Sequence, residues 1–433
     1  MIDRLINFLN SSPVNFLAVD TIAKELTENG YERFDAERPM PKMAPGMKVF
    51  FTKNDSSLYA FEIGQKPLAE TGAHIIAAHC DSPTFKIKPK SEIFSEGGIV
   101  KLNTELYGGA IMSTWMDRPL SLAGRVIIRG TDPMHPETRL LHIKRPLLQI
   151  PNLAIHFNRQ VNDGVKLSKQ KDMLPVLGIV TDELEKDNLL IKLIANELSV
   201  PPESILDFDV YLYDTTPACR FGLHNEFISS GRLDDLSMVH AGLEALIGSQ
   251  SSACTKILAI FDNEEVGSAT KQGAGSPFLA SLIQRIIMAQ NGMLDDFYRM
   301  IEKSFLISAD NAHAWHPNYS DKYDPTNHPL MGHGPVVKYN SSQKYVSDAY
   351  SASVFFNVCK EADVPCQTFV NNSDIAGGST LGNILSASLP LKGVDMGNPI
   401  WAMHSVRETA NANDHEYCIK AFKKFFELRT SST

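Results

Sequence analysis

The chain has 433 residues, 43% hydrophobic and 21% charged, enough to bury a large core and too many for one ordinary core, so two domains are expected. Lys and Arg number 41 against 50 Asp and Glu, a net charge of −9, and the charges are dispersed rather than gathered into blocks, which disfavours nucleic acid as a partner. The longest apolar runs, such as Ile75 to Ala78 and Ile257 to Phe261, fall far short of the ~18 residues that span a bilayer, and the N-terminus has no secretory signal pattern, so no membrane and a cytoplasmic address are expected.

In chain order, Ser12 and Pro13 read as a helix start, with Leu17, Ala18, Ile22 and Leu26 on one apolar face and Gly30 as its stop. Lys48–Phe51 and Leu58–Phe61 flank the polar stretch Asn54 to Ser57 and read as a hairpin. Three short apolar runs of buried-strand type, Ile75–Ala78, Ile257–Phe261 and Phe305–Ile307, each end on potential ligands. The first is followed by His79 and Asp81, the second by Asp262, Glu264 and Glu265, and the third by Asp310. Helical stripes separate them: Leu236, Val239, Leu243 and Leu246, then Leu279, Leu282, Ile283 and Ile286 after Ser276 and Pro277. From about residue 90 to 228 the texture changes to β-branched runs such as Arg125–Ile128 and Phe208–Tyr213, broken by Gly and Pro, with an aperiodic polar loop over 158–171. The expected organisation is therefore a discontinuous α/β domain, residues 1–89 and 229–433, with a β-rich domain inserted at 90–228.

Sites in open α/β sheets form beyond the carboxyl ends of the strands, where these acids and histidines fall. Adjacent Glu264 and Glu265 would face opposite ways in an extended segment and so could play different roles; the bland alternative is two solvated acids. Asp234 and Asp235 precede a helix, where Asp235 could equally be an N-cap. His79 and Asp81, two apart, share one face of an extended chain, so the carboxylate could orient the imidazole. Asp310 alone would pass for a cap and His404 for a packed core group. Together, two imidazoles and several carboxylates suit two divalent ions, with one carboxylate between them. The six cysteines form no C-x-x-C pair and read as reduced thiols, Cys80 as a buried filler. There is no H-E-x-x-H, no G-x-S-x-G and no phosphate-loop lysine after Gly377–Gly382.

Five ordered motifs carry a resemblance: Ala78-His79-Cys80-Asp81-Ser82-Pro83; Ser230 to Asp235; Phe261 to Gly267; Ser308-Ala309-Asp310 with His316-Pro317-Asn318-Tyr319; and Ala402-Met403-His404-Ser405. With Asp117–Leu120 and Ile150–His156 between them, the chain strongly resembles the aspartyl aminopeptidase family of di-zinc metallopeptidases over essentially its whole length. The resemblance implies a mixed sheet flanked by helices and two Zn2+ per subunit, with Co2+ or Mn2+ also acceptable to such donors. It makes Asp234 the bridging ligand, His79 and Asp310 the ligands of one metal, and Glu265 and His404 those of the other. It implies a cis bond between Asp234 and Asp235, Asp81 behind His79, and Glu264 as the general base toward a water between the ions.

The same resemblance implies peptide substrates with a free N-terminus and a preference for Asp or Glu as first residue, with Lys338 and His313 lining the substrate pocket. Gly332 and His333 stand where acid-selective members often show His and Lys. It further implies a homododecamer built from dimers through the inserted domain, with His156 reaching a neighbour's active site. The alternatives from other classes are a non-catalytic oligomeric scaffold or cargo protein and a carboxypeptidase or deacylase on the same core. A neutral-residue aminopeptidase is a further variant.

Overall fold

The computed structural model describes residues 1–180 and 188–428. Its largest sheet has nine strands, in the order Glu32–Arg33, Lys48–Lys53, Ser57–Glu62, Thr255–Phe261, Ala73–His79, Phe305–Ala309, Lys392–Gly397, Val336–Tyr339 and Gln367–Val370. The middle four, Thr255–Phe261 to Lys392–Gly397, run parallel, with Phe261 opposite His79 and Ser308 opposite Ala77. The hairpin forms as expected, Lys48–Lys53 antiparallel to Ser57–Glu62.

Side chains alternate across a strand, and here both faces are covered, so the apolar runs are continuous. Ile76, Ala78, Leu258 and Ile260 join one core, under the helices Leu233–Gly248 and Ala412–Glu427. Ile75, Ala77, Ile257 and Ala259 join the other, with Leu279, Ile283 and Ile286 of Phe278–Ala289 and Leu385 of Leu381–Ser388. At about 25 cal/mol per Å2 of apolar surface, this two-sided burial is what holds the central strands in place.

The N-terminal segment differs from its sequence reading. Ile2–Ser11 is already a helix, the chain breaks at Ser12 and Pro13, and the second helix runs Asn15–Glu28 with Val14 at its N-cap. The break is fixed by tertiary contact: Arg232 donates to the carbonyls of Leu9 and Ser12.

A six-stranded antiparallel sheet is ordered Glu137–His142, Leu120–Ile128, Ile205–Asp214, Thr84–Phe94, Ile99–Tyr107 and Val176–Ile179. Its inward residues Leu122, Val126, Val210 and Leu212 pack with Leu190 and Ile194 of the helix Leu189–Leu198. The strand Thr84–Phe94 runs through position 90, where the sequence suggested a boundary. Residues 158–171 form no strand and hold turns and one short 3-10 segment, Val161–Asp163. A third sheet joins distant segments, in the order Cys219–Phe221, Phe227–Ser230, Glu408–Asn411, Pro399–Trp401 and Ala312–His313. No helix among the described residues is long and apolar enough to cross a membrane.

Candidate metal centre

The strand ends and the third sheet bring the expected ligands to one place. His79 closes the strand Ala73–His79, Asp310 follows Phe305–Ala309, and Glu264 and Glu265 begin a single turn of helix after Thr255–Phe261. Asp234 lies at the start of Leu233–Gly248, joined to Asp235 by a cis peptide bond. His404 stands on the loop after Pro399–Trp401 in a left-handed conformation, φ 69°.

Asp234 is the centre of the cluster. One carboxylate oxygen, Oδ1, is 3.7 Å from His79 Nε2, and the other, Oδ2, is 3.3 Å from His404 Nε2. The same His404 nitrogen is 3.2 Å from Glu265 Oε1. Two groups of side chains lie close enough to grip an ion, His79 with Asp234 and Glu265, and Asp234 with Asp235 and Asp310, and Asp234 belongs to both. Glu264 Oε2 is 4.0 Å from His79 Nε2, at the edge of the cluster and partly open to solvent.

The supporting contacts include residues that sequence reasoning did not single out. The Asp81 carboxylate accepts from the backbone amides of both Glu264 and Glu265, 3.1 Å each, and from the Tyr107 hydroxyl at 2.6 Å. His79 meets Asp81 chiefly through the backbone, Nδ1 lying 3.0 Å from the Asp81 carbonyl and 3.4 Å from its carboxylate. Asp235 is no N-cap: it accepts from the His79 amide at 3.1 Å and tethers the strand end to the helix. Buried Glu408 accepts from the amides of Asp234 and His404. Gly109 contributes its carbonyl to His404 Nδ1, 3.1 Å away. Gly397 is a glycine because a Cβ there would collide with the Asp310 carbonyl.

Electrostatics shows how strongly such a cluster would favour a cation. Burial, together with Asp310 and Glu265, pushes Glu264 up to about 8, and burial pushes Glu265 to about 7 and Glu408 to about 8. Burial opposes charge on Asp234 too, but the imidazoles of His404 and His79 outweigh it and hold its carboxyl below the usual range. In return, Asp234 and Glu265 overcome the burial of His404 and lift it to about 11. Asp234 Oδ1 and Glu265 Oε1 are buried and accept no hydrogen bond. Orphaned carboxylate oxygens beside two imidazoles are the donor chemistry that zinc takes, at odds with a purely structural acid cluster.

The other expected residues lie as follows. Lys338 is fully buried, donating to the carbonyls of Asp310 and Asn311 at 2.7 and 3.2 Å, with its ammonium 3.5 Å from the Asp310 carboxylate. His313 lines a neighbouring cavity of about 400 Å3 with His316, Tyr319, Phe369 and Asn371. His156 is exposed, between exposed Ile155 and Phe157, and is not a buried residue of the insert. Cys80 is a buried filler whose thiol donates to the Ser56 carbonyl.

Comparison with known proteins gives the family. The family described as Aminopeptidase I zinc metalloprotease (M18) matches residues 8–426. A probable M18 family aminopeptidase 2 from Clostridium acetobutylicum is 50% identical over 425 residues, covering 98% of both chains, and one from Ectopseudomonas mendocina is 41% identical over 98% of both. A chain in the cryo-EM structure of the Ape4 and Nbr1 complex superposes with a TM-score of 0.94 at 37% identity, covering 98% of this chain and 84% of that one. The S. cerevisiae mApe1 dodecamer, 23% identical with a TM-score of 0.84 over 98% of this chain and 95% of its own, shares the fold. This chain belongs to the M18 family of zinc metalloproteases and is a metalloaminopeptidase.

Proposed function

We propose that the enzyme removes N-terminal residues from peptides with a free amino group, using two Zn2+ per subunit held by His79 and Asp310 on one side, Glu265 and His404 on the other, and Asp234 between. The observation that supports this most is Asp234 itself, with one oxygen toward His79 and the other toward His404. Zinc in such a site supplies Lewis acidity toward a water and toward the scissile carbonyl oxygen. Glu264 takes the proton from the attacking water and returns it to the leaving amine. Asp81 holds the backbone of the Glu264–Glu265 turn, so that one glutamate faces the reaction while its neighbour faces the ligand cluster.

Asp and Glu are the first residues we expect to be favoured, with Lys338, behind Asp310, as the cation concerned and His313 lining the pocket. We further assign residues 1–89 and 229–433 to the catalytic domain and 90–228 to an inserted dimerisation domain. The assembly is a homododecamer acting in the cytoplasm, with exposed His156 reaching a neighbouring subunit. The test is a panel of Asp-, Glu-, Leu- and Ala-terminal peptides, free and N-acetylated. Acetylation should abolish cleavage, since a capped amine cannot be held; equal cleavage of capped peptides refutes the aminopeptidase direction. A Leu preference refutes the acidic selectivity alone.

A further inference from the structure

Two loops that bear proposed ligands meet on one side chain outside the ligand cluster. Glu408 opens the strand Glu408–Asn411, where it pairs with Ser230 at the end of Phe227–Ser230. It is 2% exposed. Its Oε2 accepts from the Asp234 amide at 3.1 Å and its Oε1 from the His404 amide at 2.8 Å.

Both amides belong to chain that leaves regular structure. Arg232, two residues before Asp234, has φ 61°; Ala402 and His404 have φ 55° and 69°. A left-handed residue turns the backbone out of the strand path, so these amides find their partner in a side chain rather than in a sheet ladder. A carboxylate suits the task because each of its oxygens can accept from one loop. Burial and the Asp234 charge oppose ionisation of Glu408, the two backbone amides and the charges of His404 and Arg232 favour it, and a carboxylate buried this deeply is expensive unless its hydrogen bonds are made.

We propose that Glu408 is a positioning residue, one that sets the spacing between Asp234 and His404 by holding both their amides with a single carboxylate. This rests on the reading that those two residues bind zinc. In Glu408→Gln one oxygen becomes an NH2 group, which faces a backbone N–H and cannot accept from it. In Glu408→Asp the shorter arm reaches one amide only.

The experiment titrates metal-free protein with Zn2+ against a chelator of known affinity and measures the melting temperature of the metal-free form in parallel. E408Q and E408D are expected to fold and to weaken zinc at one site about 10- to 100-fold, the usual effect of losing a group that orients a ligand. Excess Zn2+ should restore kcat while KM for a peptide stays unchanged. Wild-type zinc affinity in both variants overturns the proposal, as does a fall in metal-free melting temperature with affinity unchanged, which marks a merely structural role. His404→Ala serves as the control: if it leaves zinc stoichiometry intact, the ligand reading fails, whereas loss there with none in E408Q refutes the role of Glu408 alone.

Discussion

Glu264 and Glu265 are neighbours in sequence and opposites in surroundings. Glu265 points into the cluster beside His404 and Asp234, while Glu264 stays partly open and faces His79 from the rim. Because the chain turns between them and Asp81 clamps both amides, the difference survives replacement of a side chain. Glu264→Gln keeps the shape and removes the proton acceptor, so zinc content should match wild type while kcat falls by about 10²–10⁴-fold; metal analysis and initial rates decide it, and undiminished turnover refutes the assignment of the base. The sequence made these two residues visible because they end an apolar run. It did not expose Glu408 or Tyr107: Asp234 and Asp81, the groups they hold, lie 174 and 26 residues away, and no spacing along the chain records that the carboxylate of 408 will accept the amide of 234.

The same division holds for elements. Thr255–Phe261, Ala73–His79 and Phe305–Ala309 were legible because strands covered on both faces read as unbroken apolar runs. The third sheet was not, since pieces as short as Ala312–His313 and Pro399–Trp401 have no periodicity, and Ala312–His313 reaches its partner strand only across distant chain. Where helices meet, the structure makes a prediction about acid. His240 of Leu233–Gly248 and His415 of Ala412–Glu427 touch, Nδ1 to Nε2 at 3.0 Å, with the Phe8 ring, Glu244, Arg4 and the N-terminal ammonium around them. Burial pushes His415 down to about 3, and burial with the His415 charge holds His240 well below its ordinary value. The unfolded chain therefore binds protons that the folded pair refuses, so stability is full above pH ~6.5 and is lost as pH falls toward 3. At pH 5 the loss from His415 alone is roughly 2 kcal/mol, with His240 adding to it in the same direction, read as a lower melting temperature. The double variant His240→Gln with His415→Gln should flatten that slope; an unchanged slope assigns the acid sensitivity elsewhere.

At the scale of the whole molecule, the candidate metal centre is where the sheets are tied together. The nine-stranded sheet supplies His79, Asp310 and the glutamate turn, the third sheet supplies Asp234 and His404 on its loops, and the six-stranded sheet supplies Tyr107 and, just beyond it, Gly109. Zinc bound only by the folded form should therefore stabilise the entire chain, by about 4 kcal/mol when free zinc is 1,000 times its dissociation constant. Stripping with a chelator is expected to lower the melting temperature in one cooperative transition and zinc to restore it; an unmoved transition would separate the centre from global stability. What the sequence conveyed at this scale was the α/β alternation with a β-rich stretch inside it, because composition changes there. How Gly109 would meet His404, 295 residues later, depends on packing that no local pattern encodes.

Ribosomes make proteins from the amino end, and of the five proposed ligands His404 is translated last. On the proposed assignment, a nascent copy holds at most four of the five ligands until the His404 loop has emerged. A version stopped before residue 404 loses His404 together with Glu408 and the helix Ala412–Glu427, and should leave every peptide in the panel uncut.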